Sequence, residues 1–455
     1  MAFTIKNAVL IKYTEEQKCV NVSIPDGVTE IGNKAFAKCK RIKSINIPDS
    51  VRKIGKEAFK GCCGLETVEI CDGVEEIGVA AFHGCSRLKT VDLPDSIIRI
   101  GNDAFRCCGN LTAVTIPNEI KKIENKTFSN CGNIKKVLLP DGLKEIGDNA
   151  FSCCLGLEQI ILPDTVEDIG KAAFYRCAAL SSMHLPNGIR IIKESAFELC
   201  KNMLSINIPE GVEVIDEKAF KGCKALASIV IPETVTEIRF DAFAYCESIK
   251  LLVIPKKTDV IKEGAFEGCK KLENVEIRSE ITIIPHDLFV NCSSLVSISV
   301  PDSVTSIGSW AFKDCKSLKR ITLPEQLTEI KTHAFYNCSN LEEILIPKGV
   351  TKIGWGAFKG CKMLESVSLP EGLSEIAPDL FYECRRLKSL KIPDGVTYIG
   401  YSAFVWCKKL TYLKIPKSVK KIEDGAFERD LVLRSASGSY VEKYARENGI
   451  PFEAI

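Results

Sequence analysis

Twenty-two cysteines and four histidines are the residues of this chain whose types could hold a metal, carry a redox couple or supply a nucleophile. The adjacent pairs Cys62-Cys63, Cys107-Cys108 and Cys153-Cys154 place two thiols together, and Ser86-Arg-Leu-Lys89 has the spacing of a serine nucleophile and its lysine. Each of these has a simpler reading. A cysteine stands three residues after a phenylalanine 17 times, from Cys39 after Phe36 to Cys407 after Phe404, at a constant step of 23. One member of each pair is therefore a position in a repeat, and Ser86-Arg-Leu-Lys89 is repeat spacing around an apolar Leu88. His83, His184, His286 and His333 fall in different repeats, without the His-Glu-x-x-His spacing that sets two imidazoles on one helix face. Neither a Gly-x-x-x-x-Gly-Lys-[Ser/Thr] loop nor a Gly-x-Ser-x-Gly elbow occurs. No catalytic residue, metal site or cofactor is expected, and the chain is read as a non-enzyme.

The elements that carry these thiols follow from the repeat. Phenylalanine recurs every 23 residues from Phe36 to Phe427, 18 times without an insertion, and isoleucine does the same from Ile31 to Ile422. In the unit around Phe59, Leu65-x-x-Val68-x-Ile70 alternates with period 2, which predicts a short strand over 67–70. A proline usually follows, as at Pro48. Lacking an N–H, it ends the strand and begins a turn. Val51 and Ile54 then point back inside, and Gly55-Lys-Glu-Ala58-Phe59-Lys-Gly-Cys62 forms a return arm too short for a stable helix. A period in this range predicts one mainly β repeat solenoid of 18 units, each burying its core against its neighbours.

Three segments are expected: a β-hairpin cap over 1–24 (Phe3, Ile5, Val9 and Ile11 alternate), the solenoid over 25–433, and a helix-strand cap over 434–455. Ser439-Tyr-Val-Glu442 reads as a capping box, with Gly449 as the helix stop. Two units are irregular: Ile284-Pro285-His286-Asp287-Leu288-Phe289 and Ile376-Ala377-Pro378-Asp379-Leu380-Phe381. Leucine in place of the small alanine should widen the rung locally.

The consensus Leu-x-x-Val-x-Ile-Pro-x-x-Val-x-x-Ile-Gly-x-x-Ala-Phe-x-x-Cys resembles the 23-residue leucine-rich repeat of BspA-like bacterial and protist proteins over residues 19–433. The resemblance implies a curved, right-handed leucine-rich-repeat solenoid with a concave parallel β-sheet, and an adhesin or protein-binding role. It also sets the cysteines where other leucine-rich repeats carry an asparagine ladder.

Lys and Arg total 61 against 59 Asp and Glu, so whole-chain charge gives no reason to expect nucleic acid or an anionic membrane as partner. A protein is the expected partner, including a host or cell-surface protein, with a glycan as the alternative. No apolar run is long enough to span a bilayer, and the first residues lack the pattern of a secretory leader. This points to the cytoplasm; a chain whose leader is missing from this sequence would instead be secreted or at the cell surface. Geometry permits disulfides between stacked rungs, but repeated small thiols at a core position behave as hydrophobes, and the ladder is read as reduced.

Partner binding is assigned to outward strand positions. Ten residues after the phenylalanine, the series Asn46, Glu69, Asp92, Thr115 turns apolar at Leu138 and Ile161, continues through His184 and Asn207, and is apolar again at Val230 and Val253, with Leu251 beside the last. Exposed apolar residues of this kind mark interaction sites; strand propensity alone is the other explanation. A second contact zone, and the platform for the glycan alternative, is Trp310, Trp355, Tyr401, Trp406 and Tyr412.

Overall fold

The computed structural model describes residues 2–15 and 20–455; Cys19 lies outside the described residues. The chain divides into two compact units, Met1–Ala227 and Ser228–Ile455. Each is a mainly β parallel solenoid in which the chain returns to the same place every 23 residues.

In the first unit, strands Phe3–Lys6 and Val9–Tyr13 form an antiparallel hairpin, and Val9–Tyr13 continues in parallel onto Glu30–Ile31. Two rows of short parallel strands follow. One contains Ser44–Ile47, Thr67–Ile70 and Thr90–Val91, where Thr67 pairs with Thr90 and Val68 with Val91. The other contains Lys53–Ile54, Glu76–Ile77 and Arg99–Ile100. Inward residues such as Ile45, Ile47, Val51 and Ile54 are fully buried or nearly so.

The phenylalanines stack ring on ring, at 4.8 Å for Phe36 and Phe59 and 5.6 Å for Phe105 and Phe128. Tyr13 lies 23 residues before Phe36 and stacks on it at 4.9 Å, so the hairpin supplies a first aromatic rung that the phenylalanine count does not reveal.

The return arm alternates its hydrogen bonds. N–H groups of Glu57, Phe59 and Gly61 donate to Val79, Ala81 and His83 of the next rung, while those of Ala58, Lys60 and Cys62 donate within the arm to Gly55, Glu57 and Phe59. This winding places a residue at positive φ two before and two after each repeat phenylalanine from Phe36 to Phe404. Glu57 (φ 57°) and Gly61 (φ 74°) take these places in one rung, Asp103 (φ 57°) and Cys107 (φ 60°) in another. A different constraint acts at Gly78, where a Cβ would sit 2.8 Å from the Gly55 carbonyl carbon and the Lys56 nitrogen. The rungs touch there, backbone to backbone.

The second unit repeats the pattern, with Leu251–Ile254 paired to Asn274–Ile277 and Ser297–Ser299 to Arg320–Thr322. Its two irregular rungs each interrupt the row of two-residue strands. Val260–Ile261 does not pair with Ile283–Ile284, nor Lys352–Ile353 with Glu375–Ile376. At the first break Pro285 takes the slot whose N–H elsewhere donates to the preceding rung, as Gly308 does to Ile284. Within this unit the spacing of the phenylalanine rings is largest there, 6.0 Å between Phe266 and Phe289; at the second break it is 5.8 Å between Phe358 and Phe381, against 5.7 Å between Phe381 and Phe404. Leu288 and Leu380, both fully buried, stand where most rungs have the smaller alanine.

A helix, Tyr440–Asn448, and a final strand, Phe452–Ala454, follow. Ser439 Oγ accepts the Glu442 N–H, Glu442 in turn accepts the Gly438 N–H at 2.7 Å, and Gly449 at φ 64° ends the helix. Val441, Tyr444 and Ala445 are its buried face, and Tyr444 closes edge-on against Phe427 at 6.2 Å.

Candidate functional site

The ladder cysteines are structural donors. Cys131 Sγ lies 3.2 Å from the Phe105 carbonyl oxygen of the preceding rung, and the same contact joins Cys154 to Phe128 and, in the second unit, Cys315 to Phe289. Burial pushes the thiols of Cys131, Cys200 and Cys269 up to about 12, which favours the protonated thiol at neutral pH. Their pair-mates differ: Cys63, Cys107 and Cys153 are half-buried.

The histidines also serve locally. His286 Nδ1 accepts the Ser309 N–H at 3.1 Å. His83 and His333 are held below the usual imidazole range, chiefly by burial. Among the described residues no group of three His, Cys, Asp or Glu is placed to hold a metal.

The strand face is where apolar side chains meet solvent. In the first unit, Lys136–Leu138 and Gln159–Ile160 are adjacent parallel strands, and Leu138 (47% exposed) and Ile161 (86% exposed) project outward. A hollow of about 460 Å³ lies against them, rimmed by Lys135, Lys136, Asp141 and Glu158; Lys135 and Glu158 approach to 3.7 Å. His184 is also exposed, at the end of strand Ser182–His184. In the second unit Val230 and Leu251 are exposed and Val253 is half-buried. Sequence reasoning missed Leu345, 79% exposed in the same slot, ten residues after Phe335, with its own hollow of about 620 Å³. The slot arithmetic that found Ile161 finds Leu345 once carried to the later rungs.

The late aromatics separate. Trp310 stacks on His333 at 4.2 Å, His333 contacts Trp355 at 6.1 Å, and Trp355 meets Tyr401 edge-on at 5.6 Å. This group lies on the return arms, where Asp379 accepts from Trp355 Nε1 at 3.1 Å and pairs with Lys359 at 3.0 Å. Tyr412 instead lies on the strand face beneath Arg434, and Trp406 packs with Lys408.

A ladder of buried phenylalanines and hydrogen-bonded thiols behind short parallel strands defines a leucine-rich-repeat solenoid with an exposed strand face. The chain belongs to the BspA-type leucine-rich repeat family: the family's six-copy profile matches residues 12–135, 121–250, 236–365 and 328–439. A crystallised leucine-rich repeat protein from Bacteroides ovatus is 30% identical over 81% of this chain and 92% of its own, with a TM-score of 0.64. A leucine-rich cell surface protein from Faecalibacterium prausnitzii is 29% identical over 77% of this chain and 92% of its own, at 0.48. Comparison with curated proteins found no match. No helix among the described residues is long and apolar enough to cross a membrane.

Proposed function

We propose that this chain is a non-enzymatic protein-binding scaffold whose partner docks on the strand face of the first unit, over Leu138 and Ile161; Val230 and Leu251 are a candidate contact of their own on the strand face of the second unit. The observation that carries the reading is Ile161, an aliphatic side chain 86% exposed immediately after strand Gln159–Ile160 of a packed solenoid, beside a hollow edged by both signs of charge. Covering it returns about 25 cal/mol per Å² of apolar surface, and paired rim charges would set the partner's register. The test is a pull-down from native or host extracts, with Leu138→Asp and Ile161→Asp combined. The double variant should lose the partner and keep its melting temperature, since exposed substitutions shift stability by about 0.5 kcal/mol or less. Undiminished capture by a folded double variant would place the interface elsewhere.

The adhesin form of this proposal places the scaffold at the cell surface with a host or cell-surface protein as partner. Fractionation of the native cells decides it, and a chain confined to the cytoplasm restricts the role to an intracellular scaffold. A glycan reading has one observation in its favour: Trp355 and Tyr401 are exposed side by side, with the indole nitrogen anchored on Asp379. Sugars retained on an array by the parent chain and lost with Trp355→Ala would favour it.

A further inference from the structure

Charge is unevenly spread along this chain. Residues 385–434 hold 12 Lys and Arg against 5 Asp and Glu, a local net charge of +7, while the whole chain carries +2. Within this stretch the parallel register sets Lys391 beside Lys414 and Lys414 beside Arg434, three cations in one column of the strand face. Strands pair at about 4.8 Å, and like charges at that separation repel. Elsewhere, neighbouring rungs oppose charges, as in Lys89 with Glu66 at 2.8 Å and Arg320 with Glu343 at 3.3 Å. Here relief comes only at the ends: Lys391 pairs with Glu371 at 2.8 Å, and Arg434 with Glu453 at 2.7 Å. Lys414, between them, is exposed and makes no ion pair among the described residues.

Beside the column is a hollow of about 670 Å³ lined by Lys414, Lys417, Asp394, Ser418 and Ser435. Ser418 donates to the Val396 carbonyl at 2.7 Å. Ser435 is 1% exposed and its Oγ has no hydrogen-bond partner, an uncommon state for a buried hydroxyl that one acceptor in the hollow would resolve. Three aromatic rings of this region already carry cations: Lys421 over Tyr398 at 5.5 Å, Lys408 over Trp406 at 5.1 Å and Arg434 over Tyr412 at 4.1 Å. They are poorly disposed to stack on bases or sugar rings, the contact that single-stranded nucleic acid requires.

We propose that these last rungs bind an acidic polypeptide segment, with one carboxylate held in the hollow by Lys414, Lys417 and Ser435 Oγ and further carboxylates along the Lys391, Lys414 and Arg434 column. The repulsion left standing in the column is what such a ligand would relieve. This site is separate from Leu138 and Ile161.

The experiment is fluorescence anisotropy of a labelled oligo-glutamate peptide with the purified full chain, at low and physiological salt, with heparin and oligo-dT as competitors. Binding should weaken steeply with salt and fall about tenfold or more in Lys414→Glu with Lys417→Glu. Ser435→Ala should also weaken it. Lys414→Glu should raise the melting temperature, because it places an anion between two cations; Lys414→Gln, which only removes the charge, serves as the milder variant. Unchanged binding by folded Lys414→Glu or Lys414→Gln overturns the proposal. So does competition by heparin or oligo-dT as effective as that of unlabelled peptide, since the site then reads charge density rather than a polypeptide. A melting temperature lowered by Lys414→Glu removes the column argument and overturns it too. Leu138→Asp with Ile161→Asp should bind oligo-glutamate like the parent, so failure here and failure of the strand-face scaffold are told apart.

Discussion

The sulfur of Cys62 lies 3.1 Å from the carbonyl oxygen of Phe36, one rung back, and that same oxygen accepts the backbone N–H of Cys39 at 3.1 Å. The thiol hydrogen has a defined acceptor, so the ladder needs the S–H form. A disulfide between neighbouring rungs would remove two such donors.

The cysteines should accordingly be recovered as thiols. Counting under denaturing, non-reducing conditions should find nearly all 22. In the native protein alkylation should begin with half-buried Cys63, Cys71, Cys107 and Cys153 and leave the ladder untouched. Recovery of only a few thiols after denaturation would show that the rungs are bridged.

Stability should fall in alkali for the same reason. Cys131, Cys200 and Cys269 rise from an ordinary 9.0 to about 12 on folding. A raised folded value means the stabilisation is complete below the unfolded value and disappears as pH climbs from about 9 toward 12. Each such thiol contributes a slope of about 1.4 kcal/mol per pH unit in that window. Thermal midpoints should be flat from about pH 7 to 8.5 and drop steeply by about pH 10; a flat profile throughout would mean that the thiols are not buried in solution.

Gly78→Ala should destabilise by about 1 to 3 kcal/mol, the usual cost of overpacking, because the added carbon meets the backbone of Gly55 and Lys56 at 2.8 Å. Those atoms belong to another rung and cannot rotate away. A denaturation midpoint equal to that of the parent would show that the rungs separate easily at this point.

Much of the fold was legible because one period governs strand, turn and arm together. Phe59, Cys62, Val68 and Ile70 are all buried, and the phase that pointed Ile161 outward gives an 86% exposed side chain. The positive-φ residues flanking the repeat phenylalanines from Phe36 to Phe404 were not legible. Glycine takes these places at Gly61 and Gly84, but Lys38, Leu199, Trp310 and Trp406 fill them elsewhere, since inter-rung hydrogen bonds impose the conformation whatever the side chain prefers. Tyr13 escaped notice as an aromatic rung because the repeat was followed through phenylalanine alone. The basic column was hidden by averaging: a whole-chain charge near zero conceals +7 in fifty residues, and only the strand register shows that Lys391, Lys414 and Arg434 share a column. Trp406 and Tyr412 are close in sequence yet face different ways, because six residues carry the chain from arm to strand.

The return arms point their N–H groups forward, Glu57 to Val79 and Phe59 to Ala81, whereas across the same interface Glu75 donates back to Arg52 and Gly78 back to Ile54. Peptide dipoles on the two sides of a rung therefore oppose one another along the stacking direction. An α-helix sums its dipoles into about half a unit charge at each end; here lengthening the stack adds almost nothing. The end of such a stack is electrically blank until side chains are placed on it, and a charged terminal surface, wherever one occurs, has been written residue by residue.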